Sequence, residues 1–391
     1  MYRLVFLILL AIFAAELVAV WRYRVILVRH WREPVLKYPV VIIESDDWGP
    51  GPAEQASRLV EIGAVLSRYS DRDGHPPVMT ISVVLGAPDV AAIQEGGFRR
   101  YQRVTLADPR YRELLTVFQN GVRQGVFALQ LHGMEHLWPP TFMRLAQQDG
   151  AVSRWLEQGD YAETETLPPA VQSRWIDGST LPSQPLDATA IAAAVREEVM
   201  TFQEIFGSSP TVAVPPTFIW NSEVERAWAA DGVQFVVTPG RRYTMRNPHG
   251  QPAGVDRLMF SGEIGEGGVS YLLRDIYFEP TFGHQAEQVL AEIRQRWRLG
   301  RPALLETHRS NFLGEASAHQ HSLQELQRLL DSVLREWPQV RFMSTEELGQ
   351  AYRRGDSELF EQRLPKRVHV WLRRLATIGR LQKLAWVIGG I

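Results

Sequence analysis

Val40-Val41-Ile42-Ile43-Glu44-Ser45-Asp46-Asp47-Trp48-Gly49 runs four branched apolar residues into two adjacent carboxylates and a glycine. A short β-branched run of this kind reads as a fully buried strand. Buried parallel strands carry chemistry at their carboxyl ends, where the loops open to solvent. Asp46 and Asp47 stand at that end. Two neighbouring carboxylates repel, so such a site separates their pKa values or places a cation between them. An Asx turn after a plain strand accounts for the pair taken alone equally well.

Two further apolar runs end the same way. Residues 126–131 lead into His132-Gly133-Met134-Glu135-His136, and residues 302–307 lead into His308. Histidines four apart reach one side of a helical turn, where both imidazoles can face one metal ion. A lone pair is more often structural. Three strands that each deliver titratable groups at their carboxyl ends form the convergence a metal-hydrolase barrel needs. Glu135, between the histidines, is expected in solvent or in a salt bridge.

These residues carry a resemblance. Ser45-Asp46-Asp47-Trp48-Gly49 resembles the Thr-Phe-Asp-Asp-Gly motif of the polysaccharide deacetylases, carbohydrate esterase family four, and residues 132–136 resemble their His-x-x-x-His motif. Val214-Pro215-Pro216-Thr217-Phe218 is similar to the family's Arg-Pro-Pro-Tyr motif, and Leu305-Glu306-Thr307-His308 to its late Leu-x-x-His motif. Residues 342–348 are similar to its closing strand and helix start. The match spans residues 38–352 in the family's order. It implies a distorted, seven-stranded (β/α) barrel. It implies Asp47, His132 and His136 as ligands of a divalent metal, with Asp46 as general base and His308 as the acid that protonates the leaving amine. Zinc is the first expectation, although the same ligands accept cobalt, nickel or iron. The implied substrate is an N-acyl amino sugar in a polysaccharide or a lipid-linked glycan. One position departs from the pattern: Val214 stands where the family has the arginine that orients the base. Arg241, Arg242 and Arg309 are the candidates to replace it. Trp48 adds bulk beside the expected metal.

Outside the motifs, alternating strand and helix patterns over 391 residues suit an α/β fold of the (β/α)-barrel kind. Helices are expected at 52–69, 111–122, 187–205, 223–230, 287–299 and 322–337. Strands are expected at 80–85, 211–214 and 235–238, and a further extended region at 269–274 and 276–278. Residues 137–185 read as a long loop with short helices. The chain has no cysteine, which excludes disulfides and thiolate metal sites. Several of the 12 tryptophans fall near the motifs (Trp48, Trp138, Trp220), as sugar-facing walls or as plain core. The remaining histidines have no partner at metal spacing, and His319 and His321 read as surface residues near a helix start.

The ends of the chain differ from the middle, giving an expected division into 1–36, 37–352 and 353–391. Residues 4–21 are apolar apart from Glu16 and are just long enough to span a membrane. An uncleaved anchor is expected rather than a signal peptide, whose cleavage site would be poor. Arg22, Arg24, Arg29, Arg32 and Lys37 follow the run, which by the positive-inside rule places the next domain in the cytoplasm. The family resemblance points outward instead, except for relatives that act on lipid-linked sugars. Residues 362–391 hold seven basic and no acidic residues, with apolar positions at helical spacing. That pattern suits an amphipathic basic helix lying in a membrane interface, or a helix docked on the barrel. The remainder is acidic and carries no recognition motif, so nucleic acid is not an expected partner. Oligomeric state has no signature. Two other functions fit parts of the chain: a glycoside hydrolase using paired carboxylates, and a non-catalytic, membrane-anchored sugar-binding or assembly protein.

Overall fold

The computed structural model describes residues 6, 18, 20–148, 150–157, 164–379 and 381–382. Among the described residues nine strands form one parallel sheet: β1 (Val40–Trp48), β2 (Met79–Val83), β3 (Phe127–Leu131), β4 (Val212–Ala213), β5 (Phe235–Thr238), β6 (Ser270–Leu273), β7 (Ile276–Tyr277), β8 (Ala303–His308) and β9 (Arg341–Phe342). The spatial order is β6-β5-β4-β3-β2-β1-β8-β7, and β9 pairs with the start of β1.

Every residue of β1 is buried, because the strand is covered on both faces. Side chains alternate across a strand. Val41 and Ile43 pack outward with Leu59, Ile62 and Leu66 of the helix Gln55–Leu66, while Val40 and Ile42 pack inward with Val212, Phe235, Val237, Leu272 and Leu304. The same alternation sends Glu44 and Asp46 to the inner face.

Eight strands lie on the path, rather than the expected seven. The extended region read at 269–274 and 276–278 is two strands, parted at Arg274-Asp275, with different neighbours. β6 pairs with β5, and β7 pairs with β8 at the opposite edge. The two edges of the sheet therefore meet across two residues. This seam completes the (β/α)-barrel arrangement without a ladder of its own.

The helix expected from residue 322 begins earlier, as Ala316–Glu336. Its first turn brings His319 into the interior, with Nε2 3.0 Å from Glu61 Oε2, so His319 is no surface residue. Asp187 caps the helix Ala188–Phe206 as expected, accepting a hydrogen bond from Ala190 N–H.

The first and last described helices meet beneath the barrel, at the amino ends of the strands. Residues 20–32 are helical and pack against the tail helix Leu364–Ala376 through Leu27, Leu375 and Leu381. Arg374 is buried and donates to the carbonyls of Leu299, Glu33 and Pro34 at 2.8–2.9 Å. The apolar face of the tail is thus covered by protein. Over Leu364–Ala376 the tail is a helix docked on protein through that face, the second of the two arrangements read from its sequence, and residues 380 and 383–391 lie outside the described part. The candidate anchor, residues 4–21, also lies outside it apart from residues 6, 18, 20 and 21. Among the described residues, no helix is long and apolar enough to cross a membrane.

Candidate active site

The carboxyl end of β1 is bulged. Against β2, Ser45 pairs with Ile81 and Trp48 with Val83, so β1 fits one extra residue into the ladder. Asp47 takes up the difference in a left-handed conformation with φ 75°. Asp tolerates that region better than most residues, and strain there marks functional sites. In a regular strand Asp46 and Asp47 would face opposite ways. The bulge turns both toward His132, whose Nε2 lies 3.9 Å from Asp46 Oδ2 and 3.3 Å from Asp47 Oδ1. Trp48 turns outward into the core and donates to Ser45 Oγ at 2.8 Å, so it adds no bulk to the site. Trp220 is likewise core.

His132 and His136 meet, but not on a helical turn. Residues 132–138 form an irregular loop with Gly133 at φ 85°. Leu85 and Gly86 donate backbone hydrogen bonds to the Gly133 and Met134 carbonyls, and Met134 N–H donates to Glu198 Oε2. Glu135 is fully buried in salt bridges with Arg103 and Arg174. The imidazoles sit edge to face, 4.5 Å between centroids.

Three ligand-type groups, Asp47, His132 and His136, place one donor atom each within 4.8 Å of one another. His136 Nε2 lies 3.1 Å from Asp47 Oδ1, and both atoms are buried without a hydrogen-bond partner. Such atoms cost about 1–3 kcal/mol each unless something binds them. His132 Nδ1 lies 2.9 Å from the Val214 carbonyl, an acceptor only, so Nδ1 carries the hydrogen and Nε2 is left to bind a cation. Burial lowers the proton affinity of His136 to a pKa of about 4, against the pull of Asp47, which keeps the ring neutral at neutral pH. Burial works against a charged His132 too, but Asp46 and Asp47 outweigh it and raise its pKa. These residues fit a divalent metal ion with N and O preference.

The arginine that Val214 does not supply comes from the seam. Arg274 is fully buried and forks onto Asp46, with Nη1 2.9 Å from Oδ1 and Nη2 2.6 Å from Oδ2. It also donates to Glu44 Oε2 at 2.8 Å and Glu306 Oε2 at 3.1 Å. Burial pushes the Asp46 carboxyl up, but Arg274 first and His132 next hold it down, at about 2. Burial raises the pKa of both Glu44 and Glu306 despite the same guanidinium. None of the candidates read from the sequence does this work: Arg242 is held by Glu225 and Asp256, Arg309 points at the Pro50 carbonyl, and Arg241 is exposed. The usable signal for Arg274 was its place directly after an apolar strand, the same signal that marks Asp46 and His308.

His308 ends β8 across the cavity. Its Nδ1 lies 2.5 Å from Glu279 Oε1, and Asn311 donates to the other Glu279 oxygen. Burial lowers its proton affinity, but the Glu279 bond, Asp47 and Asp46 raise its pKa to about 10. Glu279 was not foreseen, because it follows a strand of two residues with no pattern around it. Activity that needs protonated His308 falls as pH rises through that value. We expect Glu279→Gln to bring this alkaline limb down by several pH units toward the ordinary histidine value of about 6.5, read from kcat/KM against pH.

The cavity is about 380 Å³ and is lined by Asp46, Asp47, His132, His136, Glu306 and His308. Its apolar wall includes Phe218 and the exposed Phe282. Thr217 and Phe218 both have positive φ, 55° and 53°, a second strained stretch at the mouth.

No family model and no curated protein matches this sequence. Solved structures do. The peptidoglycan deacetylase PdaC of Bacillus subtilis is 10% identical with a TM-score of 0.37, covering 82% of this chain and 95% of that one. A family 4 acetyl xylan esterase from Clostridium thermocellum, in complex with a cobalt ion, is 10% identical with a TM-score of 0.38, covering 80% and 90%. A 4-alpha-glucanotransferase from Thermococcus litoralis is 8% identical with a TM-score of 0.40, covering 80% and 40%. At these values the functional reading rests on the side chains of this chain alone. The structures similar to it include polysaccharide and peptidoglycan deacetylases and family 4 carbohydrate esterases, the family whose motifs its sequence resembles.

Proposed function

We propose that this chain is a metal-dependent deacetylase, which hydrolyses an N-acyl group, acetyl in the first instance, from an amino sugar of a polysaccharide or lipid-linked glycan. The supporting observation is the meeting in one cavity of three groups: a metal-fitting Asp47–His132–His136 set, an ionised and oriented Asp46, and a protonated His308. A divalent ion there, zinc by preference of the donor set, would supply Lewis acidity to the substrate carbonyl and to the attacking water. Asp46, fixed by Arg274, takes the proton from that water. His308, charged through Glu279, gives a proton to the nitrogen as the amide C–N bond breaks and the new C–O bond persists. The products are an amine and a carboxylate.

The two other readings lose ground. A glycoside hydrolase needs two carboxylates on either side of a sugar, about 5–10 Å apart. Here Asp46 is committed to Arg274 and Asp47 to the histidine pair. The non-catalytic reading drew on the missing arginine, and Arg274 occupies that role.

Asp46→Asn tests the assignment. Release of acetate from an N-acetylated amino-sugar oligomer is expected to drop about 10²–10⁴-fold, the usual worth of a general base, with metal content unchanged. Loss of the metal in this variant would mean that the two aspartates have been given each other's roles.

A further inference from the structure

We infer that the floor of the barrel, opposite the active-site mouth, docks on an anionic lipid surface. Two independent features of the floor support this. The first is a stripe on the helical segment 20–32 and the residues just before it. Val18, Trp21, Val25 and Val28 recur at intervals of three and four residues, and so share one helix face. They are 64%, 67%, 56% and 45% exposed, whereas the opposite face, with Leu27 and His30, is buried against the tail helix and the barrel. Exposed Arg22 and Arg24 flank the stripe on its two sides, and exposed Arg32 ends it on the same face. An apolar stripe edged with arginines is the pattern of a helix lying in a headgroup layer.

The second feature is a cleft of about 470 Å³ beside the tail helix. Lys37, Arg298, Lys366 and Arg373 stand around an apolar wall of Trp297 and Val370. Its carboxylate, Glu361, is already engaged by Arg363 at 2.9 Å and by Lys366 at 3.6 Å. Five cations, counting Arg363, against one acid leave the cleft positive, and over an apolar wall this suits a phosphate headgroup with the start of its acyl chains. Basic side chains near an anionic surface are attracted to it within a Debye length. Stripe and cleft both belong to the elements gathered at the amino ends of the strands. Leu36 N–H donates to the Gly300 carbonyl just ahead of β8, and Arg301 pairs with Glu33. The mouth, at the carboxyl ends, then faces away from the lipid.

The chain lacks cysteine, so single substitutions give unambiguous labels in the full-length protein. Bimane would be attached at Val25→Cys, His369→Cys and Phe282→Cys, reporting on stripe, cleft and mouth. Each variant would be added to phosphatidylcholine vesicles with or without phosphatidylglycerol, all carrying a nitroxide-labelled lipid. Quenching of the stripe and cleft labels, several-fold stronger at the cleft with phosphatidylglycerol, and no quenching at the mouth is the expected result. Adding Lys366→Glu and Arg373→Glu should abolish the phosphatidylglycerol dependence. Quenching at the mouth, equal quenching of the cleft label by both lipids, or none at either floor label overturns the inference. So does self-quenching of the stripe label in lipid-free protein with none by lipid, which would assign the stripe to a second copy of this chain.

Discussion

Arg274→Met should cost the protein both its stability and its chemistry. The guanidinium serves Glu44, Asp46 and Glu306, all buried, and its removal leaves them facing one another without the cation that bridges all three. Breaking a buried ion pair from one side costs about 3–5 kcal/mol. That loss would be read as a lower urea midpoint. The pH dependence has a definite sign. Asp46 is held at about 2 in the folded chain, below its unfolded value, so the stabilisation is present above about pH 4 and fades as pH falls toward 2. The gap between wild type and variant should therefore be widest at neutral pH and narrow in acid. Without Arg274, burial acts on Asp46 against the weaker pull of His132 and His308, so its pKa rises and the acid limb of the activity profile should move to higher pH. Arg274→Met combined with Glu306→Gln should recover part of the stability and none of the activity, because a neutral amide relieves the repulsion but does not orient the base. Arg274→Lys should not restore it either, since one ammonium cannot reproduce the fork. Full activity in Arg274→Met would remove this residue from the mechanism.

His136→Ala is expected to empty the metal centre. Wild type should carry about one divalent ion per chain, and the variant close to none, since two ligands seldom retain a catalytic metal. Elemental analysis of dialysed protein reads this directly. A second readout does not depend on turnover: a chelator should lower the melting temperature of wild type, because an ion bound only to the folded state adds to its stability. The variant should melt at the same temperature with and without chelator. Equal metal content in the two proteins would show that the ion, if any, is held elsewhere.

The parts of the site legible in the sequence share one property. Asp46, Asp47, His132 and His308 each follow an apolar run long enough to identify a strand, and a strand end predicts a place at the mouth. Arg274 and Glu279 follow strands of four and two residues, the second too short for any period to show. Their positions were set by the break in the sheet, a tertiary event. The bulge at Asp47 was equally hidden, because the alternation rule would have sent Asp47 to the wrong face. The histidine spacing suggested a helical turn, but Gly133 and the backbone bonds to Leu85 and Gly86 produce the same meeting of rings from a loop. His319 was misplaced through an error in the helix start, which moved it from the first turn to outside the helix.

The seam has an evolutionary corollary. Every strand of a rolled sheet delivers its last residue to the same small circle, so a cation needed at the centre can be donated from many places in the chain. Here the donor sits 60 positions away from Val214, where the family pattern has its arginine, and it enters the circle from the other side. What the chemistry requires in such a ring is the location of the positive charge, and the geometry leaves its address in the linear order open. Relatives that lack the motif arginine are then better sorted by whether any strand end returns a guanidinium to the base than by the missing letter.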